Sequence, residues 1–343
     1  MISETKYDFS DVLIQPTFSN IESRSSVKLE VEYKFKYSPL TLKCIPVMAA
    51  NMDTVGTIPV MKELAKHNLF TCLHKFVSLE ELFKERDFLS QHLDNFAISI
   101  GFSDNELKRL IEISKHIDFK VICIDVANGY IGKFSGYCCT IRNLFPDKII
   151  IAGNVCTQEG VELLDTYGKV DIVKCGIGGG SACTTRIKTG VGLPQFSCSL
   201  ECSVYARENG LKIISDGGIT CPGDVSKAFG AGADFVMIGG QFAGHSESPG
   251  KIIEENGKMY KEFWGMSSEH AMNKNYGEMK SYRTSEGRHM KIPYKGNIQG
   301  TIEDYLGGIR STCTYTGYEY LEHMIGNIHF IKVNNQYNSS LIR

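Results

Sequence analysis

Eight short apolar, β-branched runs, each closed by glycine or a polar residue, recur along the 343-residue chain at spacings that leave room for one helix and two loops. They read IPVMAAN (45–51), LFTCLH (69–74), NFAISIG (95–101), KVICIDVA (120–127), KIIIAGN (148–154), DIVKCGIG (171–178), KIISDGG (212–218) and DFVMIGG (234–240). Several gaps carry helical patterning, as in IPVMKELAKHN, SLEELFKERDFLSQH and NELKRLIEISKHI. Strands that alternate with helices imply right-handed parallel crossovers, and eight such units imply an α/β fold of the closed (β/α)8 TIM-barrel kind. The rival is an open doubly wound sheet, which usually has a glycine-rich nucleotide turn after its first strand. AANMDTVG, at that place, contains no G-x-G-x-x-G.

Two stretches are longer than the pattern requires. The segment between the sixth and seventh runs holds GIGGGSACTTRIKTG (176–190). Loops after the strands form the active face of such a barrel, so this is the extended catalytic loop expected after strand six. Residues 241–310, after the eighth run, are expected to form a mobile flap. No repeat, low-complexity tract or proline-rich linker divides the chain, and residues 1–343 are expected to be one catalytic domain without an inserted regulatory module.

A formal charge of −2 offers no global field to recruit nucleic acid or an anionic membrane, so an anion site has to be local. No apolar run approaches the roughly 20 residues that span a bilayer. MISETKYDFSDV carries acids and no apolar leader core, which points to a soluble, cytoplasmic protein. Twelve cysteines in such a chain do not imply a disulfide scaffold, because its length supports a buried core and a reducing compartment keeps thiols reduced. Zinc needs clustered ligands. Cys138 and Cys139 are adjacent, Cys198 and Cys202 lack a second pair, and Cys72 with His74 has no partner set. Most of the cysteines are therefore read as small buried hydrophobes.

The residues just past each run would share one mouth: Asn51, Asp53, His74, Lys75, Asp125, Asn128, Asn154, residues 178–183, Asp216, Gly217, Gly218, Gly239 and Gly240. The two Gly-Gly pairs suit a phosphate, since barrels often bind one through backbone N–H groups after strands seven and eight. The catalytic-loop glycines are not a P-loop, because Ile187 precedes Lys188 and Thr189. Their carbonyls could instead coordinate a hard monovalent cation. Cys183, near Arg186 and Lys188, sits where a thiolate is stabilised, and an unperturbed thiol at about 8.5 needs little help to become a nucleophile. The alternative is that it only packs the loop. A nucleophile also needs an acid or base for the leaving group. Glu269, Glu278 and Glu286 are candidates that sequence physics does not rank.

NMDTVGT (51–57), DVANGY (125–130), AGNV (152–155), GSACTTR (180–186), KTGVG (188–192), SDGG (215–218), AFGAGADFVMIGG (228–240), GMSS (265–268), YRTSEG (282–287), YKG (294–296) and LGGIRSTCTY (306–315) together resemble the inosine monophosphate dehydrogenase/GMP reductase family, from about Asp8 to Val333. The resemblance implies a TIM barrel, a homotetramer and a cysteine that attacks C2 of the purine. SYRTSEG resembles the reductase branch rather than the dehydrogenases, whose flap carries an Arg-Tyr dipeptide that activates water. About twenty residues, Lys75 to Asp94, stand where dehydrogenases usually insert their regulatory module. The reductase branch implies NADPH-dependent conversion of GMP to IMP and ammonia. A dehydrogenase lacking its module and a non-catalytic purine-nucleotide sensor are the alternatives.

Carried over position by position, the resemblance implies Cys183 as nucleophile, with Thr185 and Glu286 protonating the departing amine. It implies Asp216 on the ribose and Gly217, Gly218, Gly239 and Gly240 on the 5′-phosphate. Gly265, Met266, Ser267, Arg283, Ser285 and Gly287 would enclose the nucleotide. NADPH would lie along Lys75, Asp125, Val126, Ala127, Gly178, Tyr282 and Arg283, with Ser23, Arg24, Ser311, Thr312, Cys313 and Thr314 at its far end. Potassium would be held by Gly178, Gly180 and Cys183, with Arg186 nearby. One departure stands in the loop itself: Gly179 replaces the proline of the family pattern G-I-G-P-G-S.

Overall fold

The computed structural model of the chain describes residues 4–277 and 284–334. Its centre is a closed barrel of eight parallel strands: β1 (Leu42–Ala49), β2 (Leu69–Leu73), β3 (Phe96–Ile100), β4 (Val121–Asp125), β5 (Ile149–Val155), β6 (Ile172–Cys175), β7 (Lys212–Asp216) and β8 (Phe235–Ile238). Closure comes from β8 on β1, where Val236, Met237 and Ile238 pair in parallel with Val47, Met48 and Ala49. All eight runs read in the sequence are strands. Their near-continuous apolar character follows from burial on both faces, one toward the barrel interior and one toward the helices. Pro46 removes one amide from β1, and the ladder to β2 shifts register between Ile45 and Met48, the place where a strand tolerates proline.

The outer layer follows the same local logic. Helix α1 (Ile58–Ala65) starts with a proline in its first turn. Ser78 caps α2 (Leu79–Lys84), which is followed by α3 (Arg86–Gln91). Ser103 and Thr157 cap α4 (Asp104–Ser114) and α6 (Gln158–Thr166) by accepting the N3 amide, while α5 (Gly132–Leu144) lies between them in sequence. The segment between β6 and β7 holds a one-turn helix α7 (Thr185–Thr189) and the wall helix α8 (Gln195–Glu208). Helix α9 (Pro222–Gly230) connects β7 to β8.

The flap is shorter than the sequence suggested. It is a three-stranded antiparallel sheet of β9 (Ile252–Glu255), β10 (Lys258–Trp264) and β11 (His289–Pro293), with helix α10 (Glu269–Tyr276) between β10 and β11. The expected flap boundary at residue 310 is wrong, because α11 (Gln299–Thr316) is a wall helix packed on α9. Ile302, Tyr305, Leu306, Ile309 and Cys313 form its buried stripe at helical spacing. Three glycines hid that stripe. Gly308 is required for the packing, since a Cβ there would lie 2.5 Å from Cβ of Pro222.

Two short pairings outside the barrel have no sequence signal. Val31–Tyr33 adds antiparallel to β1, and Val12–Ile14 pairs antiparallel with Phe330–Lys332. All twelve cysteines are free thiols; eight are buried and Cys139, Cys156, Cys183 and Cys221 are half-buried. Among the described residues, no helix is long and apolar enough to cross a membrane.

Candidate active site

The loop after β6 and the flap segment before β11 are laced together by backbone. Cys183 pairs with Gly287 in an antiparallel bridge, Thr184 N–H donates to Glu286 O at 2.8 Å, and Arg288 N–H donates to Ala182 O at 2.8 Å. This lacing brings three side chains into line. The Cys183 thiol donates to Thr185 Oγ1 at 3.1 Å, and that hydroxyl donates to Glu286 Oε2 at 2.7 Å. Of the two candidate carboxylates among the described residues, the geometry brings Glu286 and not Glu269 to the thiol. Glu269 is exposed at the start of α10, where its amide donates to Ser285 Oγ, and Glu278 lies outside the described residues.

The setting of the thiol differs from the sequence expectation. Arg186 does not face Cys183: it donates from Nη1 to Asp8 at 3.1 Å and from Nη2 to Leu193 O at 2.6 Å. A carboxylate and a carbonyl satisfy a guanidinium better than a thiol does, and the long side chain reaches them. Lys188 is exposed. What the sulfur receives is the Thr185 amide, at 3.5 Å.

Below the loop, four strand ends supply a buried polar network. Lys174, inside β6, bonds Asp216 at the end of β7 and Asp125 at the end of β4, the latter at 3.0 Å. Asn154 Nδ2, in β5, donates to Asp216 Oδ2 at 2.8 Å and to Gly176 O at 2.7 Å. Burial would lower the Lys174 pKa, but the two carboxylates outweigh it and hold the ammonium well above the usual lysine range. Directly after Asp216, Gly217 and Gly218 adopt φ of +109° and +76°, backbone that side chains rarely take.

These groups line one cavity at the C-terminal ends of the strands. Of the residues singled out in the sequence, Asp125, Val126, Ala127, Gly178, Gly180, Cys183, Thr185, Asp216, Gly217, Gly218, Gly239, Gly240, Gly265, Met266, Ser267, Glu286 and Gly287 face it. Ser285 borders a shallower neighbouring pocket with Ser268, Glu269 and His270. Lys75 lines neither pocket; its ammonium is 5.3 Å from the Phe76 ring centre and 5.8 Å from that of Tyr276. Tyr282 and Arg283 lie outside the described residues. Ser23, Arg24 and Ser311 to Thr314 are not brought to the cavity; the turn at Arg24 packs against α11 instead. Cys313 is fully buried against Met324 and so cannot touch a ligand where it stands.

Asp53 is a second correction. Read as a mouth residue, it is buried and accepts from Trp264 Nε1 at 2.9 Å, with Lys274 and Asn275 both at 3.3 Å from its Oδ2. It ties the flap to the barrel. The sequence reading missed Lys174, although a lysine between Val173 and Cys175 in an apolar strand is itself a signal of a buried partner. Among the described residues, no group of three or more His, Cys, Asp or Glu side chains could hold a metal ion.

Residues 6–339 match the family model described as the IMP dehydrogenase / GMP reductase domain. The chain belongs to the IMP dehydrogenase/GMP reductase family. It is 48% identical to GMP reductase 1 of Homo sapiens, covering 98% of each chain, and 50% identical to GMP reductase 2 of Homo sapiens, covering 98% of this chain and 97% of that one. It is 48% identical to GMP reductase of Caenorhabditis elegans, covering 99% of this chain and 95% of that one. Membership makes the chain an oxidoreductase of this family.

Proposed function

We propose that this chain reduces GMP to IMP with NADPH and releases ammonia, an interconversion of purine nucleotides in the cytoplasm. The observation that carries the reading is the hydrogen-bonded relay from Cys183 through Thr185 to Glu286 at the mouth of the cavity. In this reading the Cys183 thiol passes its proton through Thr185 to Glu286, and the resulting thiolate adds to C2 of GMP as the C2=N3 electron pair moves to N3. Glu286, through Thr185, delivers a proton to the 2-amino group. The C2–N bond then breaks, ammonia departs and a thioimidate links Cys183 to C2. NADPH, when bound, supplies the hydride that reaches C2. The C–S bond then breaks, returning the thiolate to Cys183 and releasing IMP.

Binding is proposed from the same cavity wall. Asp216 takes the ribose hydroxyls, and the amides of Gly217, Gly218, Gly239 and Gly240 take the 5′-phosphate. Gly265, Met266, Ser267, Ser285 and Gly287 enclose the base. The nicotinamide end of the cofactor would be held by Asp125, Val126, Ala127 and Gly178, which share the cavity with Cys183. Lys75 is proposed at its edge, and Ser23, Arg24, Ser311, Thr312 and Thr314 at its far end; Cys313 is withdrawn from that set. The carbonyls of Gly178, Gly180 and Cys183 offer neutral oxygens in a loop without a clustered carboxylate, a donor set that suits potassium rather than a divalent ion. Potassium there would steady the loop that carries Cys183. The assembly is proposed to be a homotetramer.

The test is to follow reduced-cofactor absorbance with GMP plus NADPH and, separately, with IMP plus NAD⁺. Oxidation in the first mixture alone supports the proposal. Reduction in the second alone assigns a dehydrogenase, and no change in either assigns a nucleotide-binding protein.

A further inference from the structure

Among the described residues, Lys174 is the one lysine or arginine that lines the cavity, and the proposed chemistry leaves it without a task. It is 4% exposed, inside β6, and its ammonium stands between two carboxylates, one from the end of β4 and one from the end of β7. Asp125 contributes Oδ1 and Asp216 contributes Oδ2, so a second oxygen of each carboxylate remains for a ligand. Both acids face the same cavity and keep partial exposure, 31% for the Asp125 side chain and 20% for that of Asp216. Met237 Sδ, 3.8 Å from Nζ, and the amide of Asn154 on Asp216 complete the surroundings.

We propose that Lys174 is a positioning residue shared by the nucleotide and cofactor subsites, fixing the Asp216 and Asp125 carboxylates with one buried charge. The inference rests on the proposed assignment of Asp216 to the nucleotide ribose and Asp125 to the cofactor. Its physical content is that the two acids are not independent. A half-buried carboxylate that loses its ion-pair partner turns toward another donor. Removing one ammonium therefore disturbs both acids, although they sit 91 positions apart in the chain. A lysine used only to stabilise the barrel would have no reason to engage two ligand-facing groups, and its loss would change the melting temperature while leaving both substrate dependences alone.

The test is steady-state kinetics of K174M beside the wild type, varying GMP and NADPH in turn, with thermal melting as a control. The expected result is a rise of about tenfold or more in both KM values, the scale of a lost charge-assisted hydrogen bond, with a smaller change in kcat. A lower melting temperature with both KM values within twofold of wild type would overturn the proposal, and so would a rise in only one of them. If K174M does not fold, D125N decides. A shared lysine predicts that this change on the cofactor side shifts the KM for GMP at least threefold, and an unchanged GMP dependence would overturn the idea. Failure of the functional reading is separate, since it would show as an inactive wild type.

Discussion

Thr185 and Glu286 are 101 positions apart yet share a 2.7 Å hydrogen bond, with the Cys183 thiol 3.1 Å from the same hydroxyl. A nucleophile and its proton relay have different losses. C183S should lower kcat by at least about a thousandfold, because an unactivated hydroxyl does not replace a thiolate. E286Q should lower it by about 10² to 10⁴ with little change in the KM for GMP. Serine at 183 with wild-type turnover would remove the covalent step from the mechanism. Gly179 is a subtler case. Its carbonyl accepts the Gly218 amide at 2.9 Å, and an added Cβ would meet Gln195 Oε1 at 3.2 Å, tight but movable. G179P should favour the closed loop by about 0.4 to 1 kcal/mol by restricting the open one. The expected readout is a steeper potassium response, and kinetics identical to wild type with and without potassium would refute it.

At the scale of elements, one buried acid adds side-chain ties between the flap and the barrel to the backbone lacing at Cys183. Asp53 holds Trp264 of β10 as well as Lys274 and Asn275 of α10, so the sheet and helix that carry Met266 and Ser267 are tied to the barrel by a residue of the loop after β1. D53A leaves the buried Trp264 N–H without its acceptor, worth about 1 to 3 kcal/mol. The expected outcome is a lower kcat/KM for GMP with the barrel still folded, measured by kinetics and far-ultraviolet circular dichroism. Unaltered kinetics would show that the flap is held by other contacts. Sequence reading placed Asp53 correctly past the first strand and misjudged its direction. Position along a strand tells which end of the barrel a residue reaches, whereas its orientation was set by an indole contributed 211 positions later. Lys174 failed for the opposite reason: its strand was read as apolar, and the partners that make a buried ammonium tolerable lie on β4 and β7.

For the whole molecule, one half-buried imidazole should shape the dependence of stability on pH. Burial outweighs the attraction of Asp53 and lowers the His74 pKa to about 4. His74 is then neutral in the folded chain while its unfolded counterpart takes a proton below about 6.5. The unfolded state binds more protons, so stability falls as pH drops from about 6.5 to 4, by up to about 3 kcal/mol from this group. Burial lowers the His245 pKa as well, in the same direction. H74Q should flatten the dependence of melting temperature on pH between 7 and 4.5; equal slopes in the two proteins would exclude His74 as the source. The eight barrel strands were legible because alternation of buried strands and amphipathic helices is a local property, written in consecutive residues. So were the glycine pairs and the loop thiol, whose residue types limit what backbone and chemistry they can support. The relay to Glu286, the turn of Arg186 toward Asp8, the burial of Asp53 and the pairing of Lys174 were decided only by the tertiary structure. Each depends on which distant side chain arrives within hydrogen-bonding distance, and that follows from closing the barrel rather than from any segment alone.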